Sequence, residues 1–314
     1  MTIKQLAAHA IDKTNFTTLP GFLNFCQRYL EFVATEGNLQ AVIVAQNENH
    51  YRFWQYGKAG NYQITRPINS QLMYQAGEFA AIQKDFLPTL QTLQHAKADA
   101  GLRTRLNNTV YTIQQSIGAA LDALPVGQSN KARKINGTLF EQFIRLILVE
   151  IGVDAMSGVV QVPVVTDGKE QFKMNYQHDL IISYEGDVKA IGSVKTSSKD
   201  RIDKIFIDKF LYSKLTESDL PHIAIFLNDV QRKGKAPKYG VGSTFLPGHF
   251  KGYTVKLNPL DGVYYCDIRP NMRTEPILRD HIKTLDQLLC TDIWTFLKHD
   301  DPVPIEVKDT SSST

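Results

Sequence analysis

Five residues carry the chemistry on offer here: Glu141, Asp179, Ser193, Lys195 and Asp208. Asp179 heads an apolar run that ends at Tyr184, a turn follows at Glu185-Gly186-Asp187, and a second run, Ala190 to Thr196, delivers Lys195 at its polar end. Residues two apart in a strand share a face, so Ser193 and Lys195 look one way while Val194 points into the core. A hairpin of the two runs brings Asp179 beside that shared face. Asp208 follows on a helical stretch, thirteen residues beyond Lys195. Two carboxylates converging there would hold Mg²⁺, a hard cation that takes oxygen ligands and keeps waters and phosphate oxygens in its shell. A lysine among them orients or helps deprotonate an attacking water and offsets charge building on phosphorus, the needs of metal-assisted phosphodiester hydrolysis.

Each residue also has an ordinary reading. Asp179 is a type that bonds local backbone at strand ends and turns. Lys195 reads as a solvated strand-end lysine. Asp208 stands four residues after Lys204, the spacing of a helical surface pair worth a few tenths of a kcal/mol, and Asp203 on the same helix competes with it as a ligand. Thr138-Leu-Phe-Glu141 matches a helix-start capping box, the rival to an active-site role for Glu141. His178, His222 and His249 have no metal-ligand spacing, and structural roles are expected for most of them.

The elements that must position these groups are legible as alternating strands and helices, the mark of an α/β layer. A helix is expected at 138–151, strands at 159–165, 179–184 and 190–196, a helix at 200–214 and a strand at 222–227. Before them, residues 1–123 read as a mixed, mainly helical unit. It has a helix at 21–35, strand-like runs at 40–45 and 51–56, and two or three helices over 70–123. Leu87, Leu90 and Leu93, and Val110, Ile113, Ile117 and Leu121, recur at helical intervals and form core-facing stripes. Residues 124–136 carry Pro, Gly, Ser, Asn and three basic residues without an apolar period, as a linker does. Residues 301–314 should fray.

Composition sets the limits. The chain has 314 residues with 43% hydrophobic and 21% charged, an ordinary globular balance. The net charge of +3 gives no argument for a polyanionic partner, so any such argument must be local. Two local features supply one. Lys199, Asp200 and Arg201 stand at a helix start, where cations oppose the macrodipole and therefore suggest an external partner. Arg201 has the donors for guanine O6 and N7, and Asp200 can accept from cytosine N4. Residues 230–260 hold Arg232, Lys233, Lys235, Lys238, Lys251 and Lys256 without one Asp or Glu, interleaved with aromatic residues. Such a segment suits a loop lying along phosphates. Cys26, Cys266 and Cys290, widely spaced, read as reduced thiols. No apolar run is long enough to cross a bilayer, and the first twenty residues lack the pattern of a signal peptide; a cytoplasmic location is expected.

At the catalytic candidates the chain resembles the PD-(D/E)XK nuclease superfamily, and within it the type II restriction endonucleases that read CCGG or interrupted CC–GG sites. The resemblance rests on Asp179, Ser193-Val194-Lys195, Asp208, and the Lys195-Thr-Ser-Ser-Lys-Asp-Arg201 segment, and spans about 75 residues, Gly137 to Leu211. In that branch a small residue replaces the usual acid two places before the lysine, and an acid from the next helix takes over. The resemblance implies Asp179 and Asp208 as metal ligands with Glu141 supporting the cluster, Ser193 leaving space, and Lys195 assisting the water. It implies Lys199, Asp200 and Arg201 as readers of neighbouring G·C pairs and Mg²⁺ as cofactor. Double-stranded DNA with a short palindrome containing CC/GG is the implied substrate, and a cognate methyltransferase would act on the same site. A two-fold site suits a homodimer or tetramer. The implied fold is α/β, a central mixed sheet flanked by helices over 137–300. The N-terminal unit would serve dimerisation, DNA clamping or regulation. Departures are His178 where proline is frequent, Asp208 where glutamate is usual, and Lys199 where arginine is common. The alternatives are a nuclease of repair, recombination or transposition, or an inactive DNA-binding relative.

Overall fold

The computed structural model describes residues 1–57, 64–94, 98–199, 201–235 and 237–299, and the backbone of 306–309. Its centre is a seven-stranded mixed sheet. In chain order the strands are β4 (Asp154–Thr166), β5 (Lys169–Tyr184), β6 (Asp187–Ser197), β7 (His222–Asn228), β10 (Gly262–Tyr265), β11 (Ile282–Thr284) and β12 (Glu306–Asp309). Their order across the sheet is β11-β10-β7-β6-β5-β4-β12. The β4-β5-β6 meander and the β4–β12 pair are antiparallel, whereas β6-β7-β10-β11 run parallel. Both hairpin turns of the meander obey turn chemistry: Asp167-Gly168 and Glu185-Gly186 all have positive φ, as the two central residues of a type I′ turn require.

Helix α5 (Ser129–Glu150) covers one sheet face, with Leu139, Phe143 and Ile147 in one core with Leu180, Ile182, Val194 and Ile223. Helix α6 (Ile202–Thr216) and α7 (Pro247–Lys256) cover the other, where Ile205, Phe206 and Phe250 meet Ala224, Phe226 and Val263. The N-terminal helices α1 (Ile3–Ile11), α2 (Leu19–Ala34), α3 (Ala76–Thr92) and α4 (Ala100–Leu121) extend the core on the α5 side, so residues 1–123 share it with the sheet.

Several expectations need correction. The linker over 124–136 is helix from Ser129 onward, because Ala132, Ile135 and Asn136 are buried against the core and continue the period of Leu139 and Phe143. Within that longer helix Thr138 and Glu141 are interior residues, so no capping box forms there; the residue preceding the helix is Gln128. Of the tail 301–314, Glu306–Asp309 adds an edge strand to β4, and the rest lies outside the described residues. Helix α4 goes further than its stripe: every residue from Leu106 to Leu121 is buried. Its polar side chains bond within the protein, Asn107 to the Cys266 carbonyl (2.8 Å) and Gln114 to the Asn136 side chain (3.0 Å).

A second, three-stranded antiparallel sheet comprises β1 (Ala41–Val44), β2 (Tyr51–Gln55) and β3 (Ile68–Asn69). It packs Ala45, Tyr51 and Phe53 on Val230 and Val241 of a hairpin formed by β8 (Val230–Lys235) and β9 (Lys238–Ser243). The basic stretch expected as an irregular loop is therefore this hairpin followed by α7, and Phe250 is a core residue. No helix among the described residues is long and apolar enough to cross a membrane.

Candidate active site

Strand β5 loses its regular pairing on both edges at Asp179. Against β4 the register jumps from Met156↔Ile181 to Gly158↔His178, so Asp179 and Leu180 face one residue, a bulge that re-aims the side chain. Against β6 the ladder ends at Leu180↔Gly192. Gly192 is required there, since a Cβ would sit 2.9 Å from Ile223 Cγ1. One step beyond, the Asp179 carboxylate takes up what the strand relinquishes: Val194 donates its N–H to Asp179 Oδ2 at 2.9 Å.

Lys195 enters this opening. Its Nζ lies 2.6 Å from Asp179 Oδ2 and 3.0 Å from Glu141 Oε1, which reaches in from the middle of α5. The two acids are therefore no farther apart than the sum of those contacts. All three side chains are largely buried. Burial, reinforced by the Asp179 charge, raises the Glu141 carboxyl above the usual range, and Lys195 only partly offsets this. For Lys195 burial works against the ammonium, but Asp179 and then Glu141 outweigh it and hold the lysine charged, above its ordinary value.

Sequence reasoning placed five residues at the site, and the fold brings three together. Ser193 is half-buried on β6, opposite Ala224. Asp208 sits on α6, across the sheet from α5, and pairs with Lys204 at 3.2 Å. Asp203 lies 3.4 Å from His249 Nδ1. Among the described residues no group of three His, Cys, Asp or Glu gathers to enclose a metal. The pair Asp179 and Glu141 nonetheless suits a hard divalent cation, because two converging carboxylates leave the remaining positions to water and substrate oxygens.

Of the DNA-facing candidates, Lys199 and Arg201 are exposed before α6, and Asp200 lies outside the described residues. Lys233, Lys235 and Lys238 project from the β8–β9 hairpin, whereas Arg232 bonds the Ile64 carbonyl (3.2 Å) and lies over the Tyr239 ring. Sequence reasoning missed Thr244, whose Oγ1 contacts Ser197 Oγ (3.2 Å) and Ser198 Oγ (3.3 Å) and so ties the segment after Lys195 to the hairpin. A lone threonine 49 residues downstream of Lys195 gives no sequence signal.

The chain superposes on the type IIP restriction endonuclease Kpn2I with a TM-score of 0.69, over 94% of this chain and 97% of that one, at 19% identity. It has a restriction endonuclease fold. The mixed α/β core, a central sheet flanked by helices, is that of the PD-(D/E)XK type. The restriction endonuclease PspGI, solved with substrate DNA, aligns at a TM-score of 0.42 and 14% identity, over 70% of this chain and 91% of that one. No family model and no curated protein sequence matches the chain. In the restriction endonuclease fold seen here, Asp179, Lys195 and Glu141 stand where the β5–β6 ladder opens.

Proposed function

We propose that this protein is a type II restriction endonuclease that cuts both strands of DNA at a short palindrome containing CC/GG, with Mg²⁺ as cofactor. The observation that carries the reading is the convergence of Asp179, Glu141 and Lys195 at the end of a strand ladder, on a chain with a restriction endonuclease fold.

Asp179 and Glu141 would hold the ion, which supplies positive charge against the negative charge that develops on the phosphate during hydrolysis. Lys195, kept charged by its two carboxylates, orients the attacking water through its remaining N–H donors and adds positive charge beside the scissile group. The Val194 N–H fixes Asp179 so that the carboxylate need not reorganise. Ser193 leaves space where a bulkier acid would crowd the opening. Asp208 stands outside this set, paired with Lys204. Lys199, Asp200 and Arg201 read the inner C·G pairs, while Lys233, Lys235 and Lys238 follow the phosphate backbone. Two copies, as a dimer or within a tetramer, place one such site on each strand of a two-fold sequence.

The test is digestion of plasmid DNA with Mg²⁺ followed by sequencing of the fragment ends. Discrete fragments sharing one palindrome at their ends support the reading. A smear, end trimming, or no cleavage by pure wild-type protein would overturn it.

A further inference from the structure

The β1–β2 loop, Gln46 to His50, does more than connect strands. It is bolted to the basic hairpin: Gln46 donates its N–H to the Tyr239 carbonyl (3.0 Å), the Asn47 side chain donates to the Val241 carbonyl (2.8 Å), and Val241 N–H donates back to Asn47 Oδ1 (2.9 Å). Arg52 Nη1 donates to the Asn49 carbonyl. Below it a buried polar network locks the small sheet to the end of the large one. Asp267, following β10, accepts from Tyr51 Oη and Asn69 Nδ2, both at 2.9 Å. Two anchors of this kind leave the loop little freedom to move relative to β7 and β10.

Between this loop, Arg269 and Asn271 lies an open cavity of about 810 Å³. Its position matters. On β7, Phe226 pairs with Lys195, and just past the end of β7 the Asp229 carboxylate meets Arg269 at 3.7 Å. The Arg269 wall of the cavity therefore stands past the end of β7, the strand that pairs with β6 and Lys195. Its chemistry matters equally. The Arg269 guanidinium is held by Glu48 at 2.6 Å and flanked by Asp229, so it is committed within the protein rather than free to take a phosphate. What remains for a ligand are the amides of Gln46, Asn49 and Asn271. Side-chain amides match adenine N6 and N7.

We propose that this cavity is a second reading site, which takes the adenine edge of an A·T pair flanking the cut site. The inference rests on the nuclease reading for its substrate and adds a specificity element supplied by the N-terminal sheet. The phosphates on either side fall to the lysines of the neighbouring hairpin.

The test uses full-length protein and duplexes carrying the cleavage site between randomised flanks. One arm sequences products cut in Mg²⁺; the other sequences duplexes retained on the protein in Ca²⁺. Wild type should enrich A·T at one flanking position about tenfold. Asn49→Ala with Asn271→Ala should reduce that enrichment below about twofold, and Gln46→Ala should give an intermediate value. Because Asn49 is exposed, Asn49→Asp should fold normally; it converts an amide into an acceptor and should move the preference toward cytosine. A wild type without flanking bias, or variants that keep the wild-type profile, would overturn the proposal. Flanking bias among retained duplexes without any cleavage would instead sink the nuclease reading and leave this site standing.

Discussion

His178 and Asp179 are consecutive residues of one strand with opposite fates. His178 turns to the α6 face, buried beside Tyr176 (ring centroids 6.2 Å apart) and His222 (6.4 Å). Burial pushes its pKa down to about 4, and that of His222 to about 3. Asp179 turns to the opening shared with α5, where its carboxylate meets the Lys195 ammonium and accepts from the Val194 N–H. The difference shows what burial does with and without a partner. On the α6 face His178 and His222 are neutralised and packed as aromatic rings, whereas on the α5 side Lys195 is paired with Asp179 and Glu141. The charged cluster forms on the second side, and the β5 bulge separates the two neighbours.

The largest effect should come from dismantling the charged side. Asp179→Asn and Lys195→Ala should each lower cleavage of plasmid DNA by about 10²–10³-fold or more, while DNA binding in Ca²⁺ is retained. Full activity in either variant would remove the distinction between the two neighbours. The effect on binding sharpens it: a variant that neither binds nor cuts has lost structure rather than chemistry.

The neutral side should report through acid stability. A histidine whose folded pKa lies below its unfolded value of about 6.5 stabilises the fold while it is neutral. Between that pH and the folded pKa the unfolded chain binds the extra proton. Stability should therefore fall by about 1.4 kcal/mol per pH unit for each histidine, from near pH 6.5 down to about 4 for His178 and about 3 for His222. His222 Nδ1 lies 2.8 Å from the Leu220 carbonyl, so the neutral ring carries its proton on Nδ1. His222→Phe should lose that bond yet flatten the acid limb by close to one proton. Denaturant unfolding at pH 7, 5 and 4 checks this; an unchanged slope would mean that His222 is not neutral in the fold.

A smaller effect should appear at the start of α6. Arg201→Ala should cost about 1–3 kcal/mol of discrimination between cognate and altered sites and less on random DNA. Equal losses on both would make Arg201 a phosphate contact. That residue also marks how far the sequence could be read. The β5–β6 hairpin was legible because its turn chemistry and apolar alternation are local, and Asp179 and Lys195 follow from it. Glu141 was legible as a candidate, but its role depends on a helix that begins nine residues earlier than Thr138, which polar residues such as Lys131, Arg133, Lys134 and Asn136 disguised as a linker. The cavity beside Arg269 was not legible at all, since its walls come from residues more than 200 positions apart that meet through side-chain hydrogen bonds without a sequence period.

Asp208 gives the finest test of the comparison, because spacing drew it toward Asp179 and the fold sets it on the other face. Its contact is an exposed-side pair with Lys204, one helical turn away. Such a pair contributes about 0.3–0.5 kcal/mol, so Asp208→Ala should barely move the unfolding midpoint. If Asp179 and Glu141 suffice for the ion, its cleavage rate should also stay within about threefold of wild type. A loss as large as that of Asp179→Asn would mean that α6 delivers this carboxylate to the opening when DNA is bound, so that the sheet faces are not chemically separate during turnover. Lys204→Ala distinguishes the two cases: releasing Asp208 from its partner should leave the rate unchanged in the first and raise it in the second.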